Sequence, residues 1–527
     1  MLIVYSQFFI RFLGWLGLVI LARLWGNFAP EAMGIIGFAM SFLALFNVIG
    51  QLGFPQAHVK RISEGKDLGS CIGTFATTKL VLTGLMVLII FIGIYVYKTI
   101  LHGSFHDATT ESVILVFTLY YVFLNLSEIA TFTFEGTKEI AKRQLVKLCE
   151  GIKTPLMLLV ALAGVTAIGI QPFIQWPSFL KPLQEFIAAH AVGSLAMAYV
   201  FAVMASFIVG MALLRKYPIK KPNFGLFKNY LTFAFPIMLI SVIGVVSVNI
   251  DKIMIGYFWT SVEVGYYFTV QQILQIILIF HIAISVVLFP TLSEYHSKKR
   301  FNEINITTKT AERYISMVMI PPIVIIIVLT APVINILLSS AFLPAIPVLI
   351  TLTIYAYLFS VNAPYRSLIS GINKPRVVAM IGVIMFSSNI VLNIIIIPKN
   401  GLLSFVGING PTGAAVATVF STFIGFCAYR YMAKKYSHMQ PLQSHIPRHI
   451  IAGAIMGISV YGLVYNTGLF PVIHWYHLLL LSGIGLLIYL AVLYLIREFK
   501  KDDYNFFIGI LKPKEMMNYI KSEVKGK

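Results

Sequence analysis

Residues 71–97 have the sequence CIGTFATTKLVLTGLMVLIIFIGIYVY, in which Lys79 is the one charged residue. A helix that crosses a bilayer needs about 20 consecutive, mostly apolar residues. Residues 71–97 therefore predict a membrane-spanning helix. Stretches of the same kind recur along the 527-residue chain, and they decide the class of fold.

The composition of the whole chain agrees with this interpretation. Apolar residues make up 58% of the sequence and charged residues only 11%, whereas soluble domains contain about 25% charged residues. A soluble protein of this length could not cover its surface with so few polar side chains. The composition thus excludes a soluble enzyme, a disordered chain and a secreted disulfide scaffold. The long apolar runs also argue against an outer-membrane β-barrel, whose strands alternate polar and apolar residues.

Apolar runs of spanning length, separated by polar breaks, predict an all-α polytopic membrane protein. We predict about fourteen transmembrane helices, at residues 4–26, 32–57, 71–97, 112–134, 148–170, 188–214, 230–257, 262–290, 311–338, 344–370, 376–397, 411–432, 449–470 and 477–497. An even number of crossings places both termini on the same side of the membrane.

The distribution of Lys and Arg predicts which side this is. The loops on the side of the termini carry 31 of the 40 Lys and Arg residues, the opposite loops carry three, and six are counted within helices. Cytoplasmic loops of membrane proteins collect Lys and Arg, so we expect both termini in the cytoplasm and the protein in the cell (plasma) membrane. The formal net charge of +20 is then explained without nucleic acid as a partner.

Three pairs of similar motifs predict an internal repeat, which is common among transporters. The motifs occur in the same order and at similar offsets along the chain, and the pairs are Glu31–Pro55 with Glu263–Pro290, Gly136–Lys138 with Gly371–Lys374, and Gly193–Ala196 with Gly413–Val416. We therefore predict two six-helix lobes of the same orientation followed by unpaired elements. The predicted boundaries are an N-terminal lobe at 1–229, a C-terminal lobe at 230–448, two accessory transmembrane helices at 449–497 and a basic cytoplasmic tail at 498–527.

Several short motifs, in this order, resemble those of one family of transporters. They are Ala22–Gly26 with Pro30, Glu31 and Gly34; Asp251–Phe258; Glu263–Tyr267; Leu288–Ser293; Asn389–Asn393 with Ile397, Pro398 and Gly401; and Gly410–Ala415. The family is the oligosaccharide (polysaccharide-biosynthesis) flippase branch of the multidrug, oligosaccharidyl-lipid and polysaccharide exporter superfamily.

This resemblance implies both a fold and a function. The implied fold has two six-helix lobes that face each other across a central cavity. The implied function is the movement of a polyprenyl-diphosphate-linked oligosaccharide from the cytoplasmic to the outer leaflet by alternating access, for polysaccharide or glycoprotein assembly.

Cations within the predicted helices are the first candidate site residues, because a charge inside the bilayer is costly. A cavity lined by cations suits an anionic diphosphate better than it suits a cationic drug. We predict a cationic, substrate-binding cavity formed by Arg11, Lys79, Lys153 and Arg366. The alternative for each is anchoring near the membrane interface or a local ion pair, as between Lys153 and Glu150.

Three further residues, Glu128, Asp251 and Lys252, are candidates for ion coupling or for a structural latch. Glu128 and Lys79 both lie in the cytoplasmic half of consecutive predicted helices, so we expect them to pair. That pair is either structural or exchanges partners during transport, and proton coupling through Glu128 is an alternative. Asp251 and Lys252 are adjacent and do not face each other on a helix, so we expect Asp251 to pair with a cation of another helix.

The sequence lacks the motifs of several enzyme classes, among them the phosphate-binding GxxxxGK[ST] loop and HExxH. We therefore expect a transporter that is not an enzyme and that needs no cofactor or metal. The expected partners are a lipid-linked oligosaccharide, membrane lipids and, as candidates, glycosyltransferases of the same pathway.

Two alternative functions stay open. The first is a cation-coupled multidrug exporter of the same superfamily, which would need more buried carboxylates than the predicted helices supply. The second is a membrane-embedded glycosyltransferase or polymerase. Such enzymes usually carry catalytic charges in a sizeable outer loop, but the longest predicted outer loop, 171–187, contains only Lys181 and Glu185 as charged residues.

Overall fold

The protein is helical throughout the part of the chain that the structure describes. This structure, a computed structural model, describes residues 2–100, 108–168, 176–437, 445–466, 472, 474–500 and 503. These residues contain no β-strand, and the predicted all-α class is confirmed. Residues 504–527, which make up most of the predicted tail, lie outside the described residues.

Nineteen α-helices are present in the described residues. The first ten are α1 (Leu2–Trp25), α2 (Ala29–Gln51), α3 (Phe54–Ser63), α4 (Leu68–Tyr95), α5 (Ala108–Gly136), α6 (Ile140–Leu148), α7 (Lys153–Gly164), α8 (Lys181–Ala189), α9 (Ala191–Leu214) and α10 (Phe224–Phe258). The others are α11 (Ser261–Ile277), α12 (Ile279–Ser297), α13 (Phe301–Val328), α14 (Thr330–Leu337), α15 (Ile346–Gly371), α16 (Pro375–Ile396), α17 (Gly410–Ser437), α18 (His445–Tyr461) and α19 (Trp475–Leu495). Short 3₁₀ helices cover Gly26–Phe28, Cys149–Ile152, Val165–Ile168, Ser178–Leu180, Ser340–Ala345 and Ser404–Val406, and π-helical turns cover Val96–Ile100 and Gly462–Asn466.

The length and composition of these helices confirm a multi-pass membrane protein. Within the described ranges, eleven helical runs are long and apolar enough to cross a membrane. One run, Phe8–Ser63, contains 56 residues, which at about 1.5 Å per residue exceeds a single crossing. Fourteen as the number of transmembrane helices therefore stays a prediction.

All fourteen predicted helices overlap observed ones, but five of them contain a break that the sequence did not predict. Predicted helix 32–57 is divided into α2 and α3 at Leu52 and Gly53, whose φ angles of 40° and 75° are left-handed. The other four breaks are at Cys149–Ile152, His190, Leu278 and Leu329. The breaks at Leu278 and Leu329 fall within apolar runs, so hydropathy gives no sign of them.

The described helices belong to two compact units. The first unit contains Met1–Thr269 and Asn393–Pro411, and the second contains Val270–Leu392 and Thr412–Lys527. The chain passes between the units within α11, α16 and α17. The division into lobes, accessory helices and tail that was derived from the sequence stays a prediction.

Each unit has its own buried apolar core, and the two cores use equivalent positions of the sequence. Three pairs of core residues, one member in each unit, have the same separation along the chain; they are Ala57 and Leu292, Phe134 and Ile369, and Val146 and Ile381. This constant spacing supports the internal repeat.

The turns at the ends of equivalent helices also have the same backbone structure. Gly65 after α3 and Lys299 after α12 have φ angles of 79° and 57°, and Lys138 after α5 and Asn373 after α15 have φ angles of 63° and 66°. In all four turns this residue donates its N–H to the carbonyl three positions earlier, and the next residue donates to the carbonyl five positions earlier. This is the Schellman pattern of helix termination, repeated at matching places in the two halves of the sequence.

Candidate functional site

The position of Lys79 on α4 is set by the start of that helix. Asp67 accepts a hydrogen bond from the backbone N–H of Ser70 at 2.8 Å, which caps the helix before Leu68. Hydrogen bonds from Lys220 and Ser70 hold the pKa of Asp67 at about 2, so the cap is ionised at neutral pH. Three turns further on, the side chain of Lys79 is completely buried, at 0% exposure. A buried ammonium group needs compensating partners.

Three oxygen atoms surround Nζ of Lys79. The ammonium donates to the carbonyl oxygen of Gly50 at 2.8 Å, to Oδ1 of Asn125 at 3.0 Å and to Oε2 of Glu128 at 2.5 Å. An ammonium has three N–H donors, so these acceptors match the number of its protons. The predicted pair between Lys79 and Glu128 is confirmed.

Further hydrogen bonds orient these acceptors. Nδ2 of Asn125 donates to Oδ1 of Asn47 at 2.7 Å and to the carbonyl oxygen of Tyr121 at 3.0 Å, which directs Oδ1 of Asn125 towards the ammonium. Nε2 of Gln51 donates to both carboxylate oxygens of Glu128, at 2.7 and 2.9 Å. The lysine cluster, as we name it, connects α2, α4 and α5 and consists of Asn47, Gly50, Gln51, Lys79, Asn125 and Glu128.

A small cavity adjoins the carboxylate end of the lysine cluster. Its volume is about 90 Å³, and it is lined by Leu124, Ser127, Glu128, Thr131, Phe132, Val146, Lys147, Glu150 and Ser206. A cavity of this size with polar walls holds several water molecules. The carboxylate of Glu128 is 15% exposed, so the cluster is accessible from one side.

Two of the predicted diphosphate ligands lie near each other on α1 and α7. Nζ of Lys153 lies 4.6 Å from the centre of the Tyr199 ring. A side chain added at Gly14 would place its Cβ atom 3.5 Å from the same Nζ. Gly14 follows Arg11 by three residues, so Lys153 contacts α1 within one turn after Arg11.

Arg366, the fourth predicted ligand, belongs to the second unit. It lies on α15, is partly exposed and has its guanidinium carbon 5.0 Å from the centre of the Phe359 ring. A guanidinium on an aromatic face keeps hydrogen-bond donors free to reach a planar or tetrahedral anion. Its role as a diphosphate ligand stays a prediction, as do those of Arg11, Lys79 and Lys153.

Asp251 and Lys252 are both buried on α10. Oδ2 of Asp251 accepts a hydrogen bond from the hydroxyl of Tyr267 at 2.6 Å, and Oδ1 accepts one from Nδ2 of Asn393 at 2.7 Å. Nζ of Lys252 donates to the carbonyl oxygen of Val248 at 2.9 Å. Asp251 thus connects α10 with α11 and α16, and its predicted pairing with a cation stays a prediction.

The backbones of α2 and α11 approach each other closely where the two helices cross. A Cβ atom added to Gly34 would lie 1.6 Å from the carbonyl oxygen of Ser261, and one added to Gly265 would lie 1.8 Å from that of Pro30. No side chain fits at either position without a shift of the backbone. Gly34 and Gly265 also occupy matching positions in the first pair of repeated motifs.

Sequence reasoning missed a buried ion pair in the second unit. Arg430 on α17 pairs with Glu312 on α13, and the two side chains are 3% and 0% exposed. Glu312 also accepts a hydrogen bond from Tyr365 at 2.8 Å, and Arg430 donates to Oδ1 of Asn362 at 3.1 Å. The rings of Tyr365 and Phe426 lie 4.5 and 3.5 Å from the guanidinium carbon. Glu312, Asn362, Tyr365, Phe426 and Arg430 form what we name the arginine cluster.

A signal for this pair was present in the sequence. Arg430 lies inside predicted helix 411–432 and Glu312 lies inside predicted helix 311–338. Both are charged residues within predicted helices, which is the criterion that identifies the other candidates.

Arg313, which also lies inside predicted helix 311–338, is at the centre of another charged network of the second unit. It donates to Oε1 of Glu498 and to both carboxylate oxygens of Asp503, each at 2.7 Å. Arg448 on α18 donates to Oε2 of Glu498 at 2.7 Å. Burial opposes ionisation of Glu498, but hydrogen bonds from Arg313 and Arg448 hold its pKa below the usual value. The network connects α13 and α18 with the segment that follows α19.

Comparison with known families agrees with the motifs quoted above. Two family models match the chain, and each is described as a polysaccharide biosynthesis protein; they cover residues 1–146 and 186–347. The resemblance predicted from the sequence is confirmed.

Individual relatives match over larger parts of the chain. The Haloferax volcanii protein named "Probable low-salt glycan biosynthesis flippase Agl15" is 24% identical over 505 residues, which is 95% of this chain and 96% of that protein. "Probable flippase AglR" of the same organism is 24% identical over 210 residues, or 39% of this chain and 42% of that protein. The solved structure "Lipid II flippase MurJ, inward closed conformation" has a TM-score of 0.70 with 18% identity, over 93% of this chain and 98% of that chain. At this identity the structural similarity shows a common fold.

Proposed function

We propose that this polysaccharide-biosynthesis protein is a flippase that moves a polyprenyl-diphosphate-linked oligosaccharide from the cytoplasmic to the outer leaflet by alternating access. The observation that carries this proposal is the match to Agl15, which extends over 95% of the chain. The chain is then a transporter and not an enzyme, and its product serves polysaccharide or glycoprotein assembly. Glycosyltransferases of the same pathway are the protein partners that we propose.

The charge distribution supports an orientation for this transport. The loops on the side of the termini contain 31 Lys and Arg residues and the opposite loops contain three. We therefore place the protein in the plasma membrane with both termini in the cytoplasm. Substrate enters from the leaflet that faces the basic loops.

The lipid diphosphate is the part of the substrate that cationic side chains recognise. Arg11 on α1 and Lys153, whose Nζ lies beside Gly14 of the same helix, supply two positive charges in the first unit. Arg366 in the second unit supplies a planar guanidinium, which can hold two phosphate oxygens at once. In this proposal these three residues bind the diphosphate, while the prenyl chain stays in the lipid.

The contact between α2 and α11 supplies a closure for the outer side of the pathway. Gly34 and Gly265 follow predicted outer loops, and their backbones touch without intervening side chains. We propose that this contact opens when substrate leaves towards the outer leaflet. Asp251, hydrogen-bonded to Tyr267 and Asn393, serves as a latch that keeps α10, α11 and α16 together near this closure.

Two carboxylates within the helices are paired with cations of the chain, which favours lipid flipping over cation-coupled drug export. Glu128 is paired with Lys79, and Glu312 is paired with Arg430. A carboxylate that already has a cation of the chain as its partner is a poor binding group for a cationic drug. For this reason we propose lipid flipping as the function and place cation-coupled drug export second.

The test uses cells depleted of the protein, in which the leaflet that holds the lipid-linked oligosaccharide is probed. We expect the glycolipid to accumulate in the cytoplasmic leaflet and to return to its normal distribution with the wild type. Gly34→Ala should reach the membrane but fail to restore the distribution, since its Cβ atom would meet the Ser261 carbonyl at 1.6 Å. Gly84→Ala is the matched control, because no atom lies within 4 Å of a Cβ atom at that position.

Two results would contradict these proposals. No accumulation on depletion would exclude the flippase, and drug-efflux assays would then follow. Full rescue by Gly34→Ala would be compatible with the proposed flippase but would contradict the proposed closure between α2 and α11.

A further inference from the structure

We propose that the lysine cluster is a monovalent-cation site in which the ammonium of Lys79 is the bound cation, held covalently by the chain. Removal of the lysine side chain should therefore convert the cluster into a binding site for a free alkali-metal ion, for which Na⁺ is the probe. Neither the family resemblance nor the proposed transport of a glycolipid requires this site.

The ligands of the ammonium are those that a hard cation uses. Nζ of Lys79 contacts a backbone carbonyl of Gly50, an amide oxygen of Asn125 and a carboxylate oxygen of Glu128, at 2.5–3.0 Å. Carbonyl, amide and carboxylate oxygens are the ligands preferred by hard metal ions. They come from α2 and α5, and the single negative charge of Glu128 balances a single positive charge.

The oxygen atoms are held in place by groups other than Lys79. Asn125 is oriented through its Nδ2 atom by Asn47, and both oxygens of Glu128 are bound by Gln51. Gly50 leaves space for the Asn125 amide, since a Cβ atom there would lie 2.7 Å from Nδ2. The ligands are therefore expected to keep their directions when the ammonium is removed.

The space beside the cluster gives an ion room to retain part of its hydration. The cavity of about 90 Å³ reaches the carboxylate of Glu128, and truncation of Lys79 to alanine would add the volume of four side-chain heavy atoms. Water molecules in this space would complete the coordination of an ion that has three protein ligands.

The arginine cluster provides a matched control. There the guanidinium of Arg430 lies against the rings of Tyr365 and Phe426, at 4.5 and 3.5 Å. A guanidinium is a large, weakly hydrated, planar cation. The oxygens that it contacts, of Glu312 and Asn362, are fewer than the three around Lys79, and rings wall part of the space. Removal of Arg430 should therefore leave an unpaired carboxylate without creating a Na⁺ site.

For the wild type, this inference means that the first unit keeps its buried charge balanced at all times without a free ion. A transporter with an empty carboxylate at this place would need an ion to be loaded in each cycle. With Lys79 present, the cluster stays neutral in any concentration of Na⁺. Transport by the wild type should consequently not depend on Na⁺ through this cluster.

The experiment measures thermal unfolding of the purified full-length chain in NaCl and in N-methyl-D-glucamine chloride of equal ionic strength. The wild type should have the same midpoint in both salts. Lys79→Ala should unfold earlier than the wild type and gain about 2–4 °C or more when NaCl replaces the organic cation, because binding to the folded state alone stabilises it. The Lys79→Ala/Glu128→Gln variant and Arg430→Ala should show no such gain.

Several outcomes would overturn the proposal. One is a Lys79→Ala variant that responds to NaCl no more than the wild type does. Another is a response that persists after Glu128→Gln, or a midpoint that rises with acid and not with Na⁺, which would mean that a proton neutralises the carboxylate. If Lys79→Ala cannot be purified in either salt, Lys79→Ser, which adds a hydroxyl ligand, is measured in its place. A Lys79→Ser variant whose unfolding midpoint does not respond to Na⁺ would also overturn the proposal.

Discussion

The lysine cluster and the arginine cluster each hold an ion pair beside an amide, but corresponding helices carry different charges. Asn125 on α5 and Asn362 on α15 lie on corresponding helices of the two halves, and each directs Oδ1 to a buried cation, at 3.0 and 3.1 Å. In the first half α4 carries the cation Lys79, whereas α13, the corresponding helix of the second half, carries the acid Glu312. Each half thus keeps an amide and a balanced pair, while the sign of the charge on corresponding helices differs.

The two clusters differ in how completely they exclude water. In the arginine cluster both charged side chains are at most 3% exposed, and aromatic rings cover the guanidinium. In the lysine cluster the carboxylate of Glu128 is 15% exposed and borders a cavity. Since an unpaired charge costs more where water cannot reach it, the same substitution should have unequal effects in the two clusters.

The largest effect is expected from Glu312→Gln. This substitution leaves the guanidinium of Arg430 buried without its counter-charge, which should lower the free energy of unfolding by about 3–5 kcal/mol. Reversible unfolding in detergent micelles would measure it. The Glu312→Gln/Arg430→Gln variant should be more stable than Glu312→Gln alone, and a single variant within about 1 kcal/mol of the wild type would contradict the importance of the pair.

A smaller effect is expected from Glu128→Gln. Lys79 would keep the Gly50 carbonyl and the Asn125 amide as partners, and water in the adjoining cavity could approach the ammonium. The free energy of unfolding should fall by about 1–3 kcal/mol, measured under the same conditions as for Glu312→Gln. If Glu128→Gln lowered the free energy of unfolding as much as Glu312→Gln does, or more, exposure to water would not explain the difference between the clusters.

The smallest effects, and the sharpest test of the comparison, come from the two amides. Asn125→Ala removes hydrogen bonds to Lys79, Asn47 and Tyr121 and should lower the free energy of unfolding by about 2 kcal/mol. Asn362→Ala should lower it by about 1 kcal/mol. The reason is that Nδ2 of Asn362 has no hydrogen-bond partner in the structure. Side-by-side unfolding of the two alanine variants tests this order, and the reverse order would show that the amides are not equivalent.

The lysine cluster shows which part of a site a sequence of this kind can predict. Lys79 and Glu128 lie on helices that follow each other in the chain, and such helices are usually neighbours. Equal depth from the cytoplasmic ends was therefore enough to predict the pair. The additional partners Gln51 and Asn125 were not predicted, because polar uncharged residues are too common in such helices to stand out.

The arginine cluster shows where that reasoning ends. Glu312 and Arg430 are 118 residues apart, on helices that are not consecutive, so their contact depends on how α13 and α17 pack. Hydropathy locates each helix but does not specify its neighbours. For the same reason the sequence predicted the apolar runs and the all-α class, but it did not predict the breaks at Leu278 and Leu329, which interrupt helices within apolar runs.

The four matching turns indicate what a duplicated chain must inherit and what it can change. Gly65, Lys138, Lys299 and Asn373 share a left-handed φ angle and the same backbone hydrogen bonds, although they are three different types of residue. A turn held by its backbone tolerates many substitutions one at a time, so the path of the chain survives duplication. When a buried ion pair changes, both of its members must change together. The pair in the other half need not change. Each copy could therefore place its charges independently, and a shared architecture does not dictate shared electrostatics.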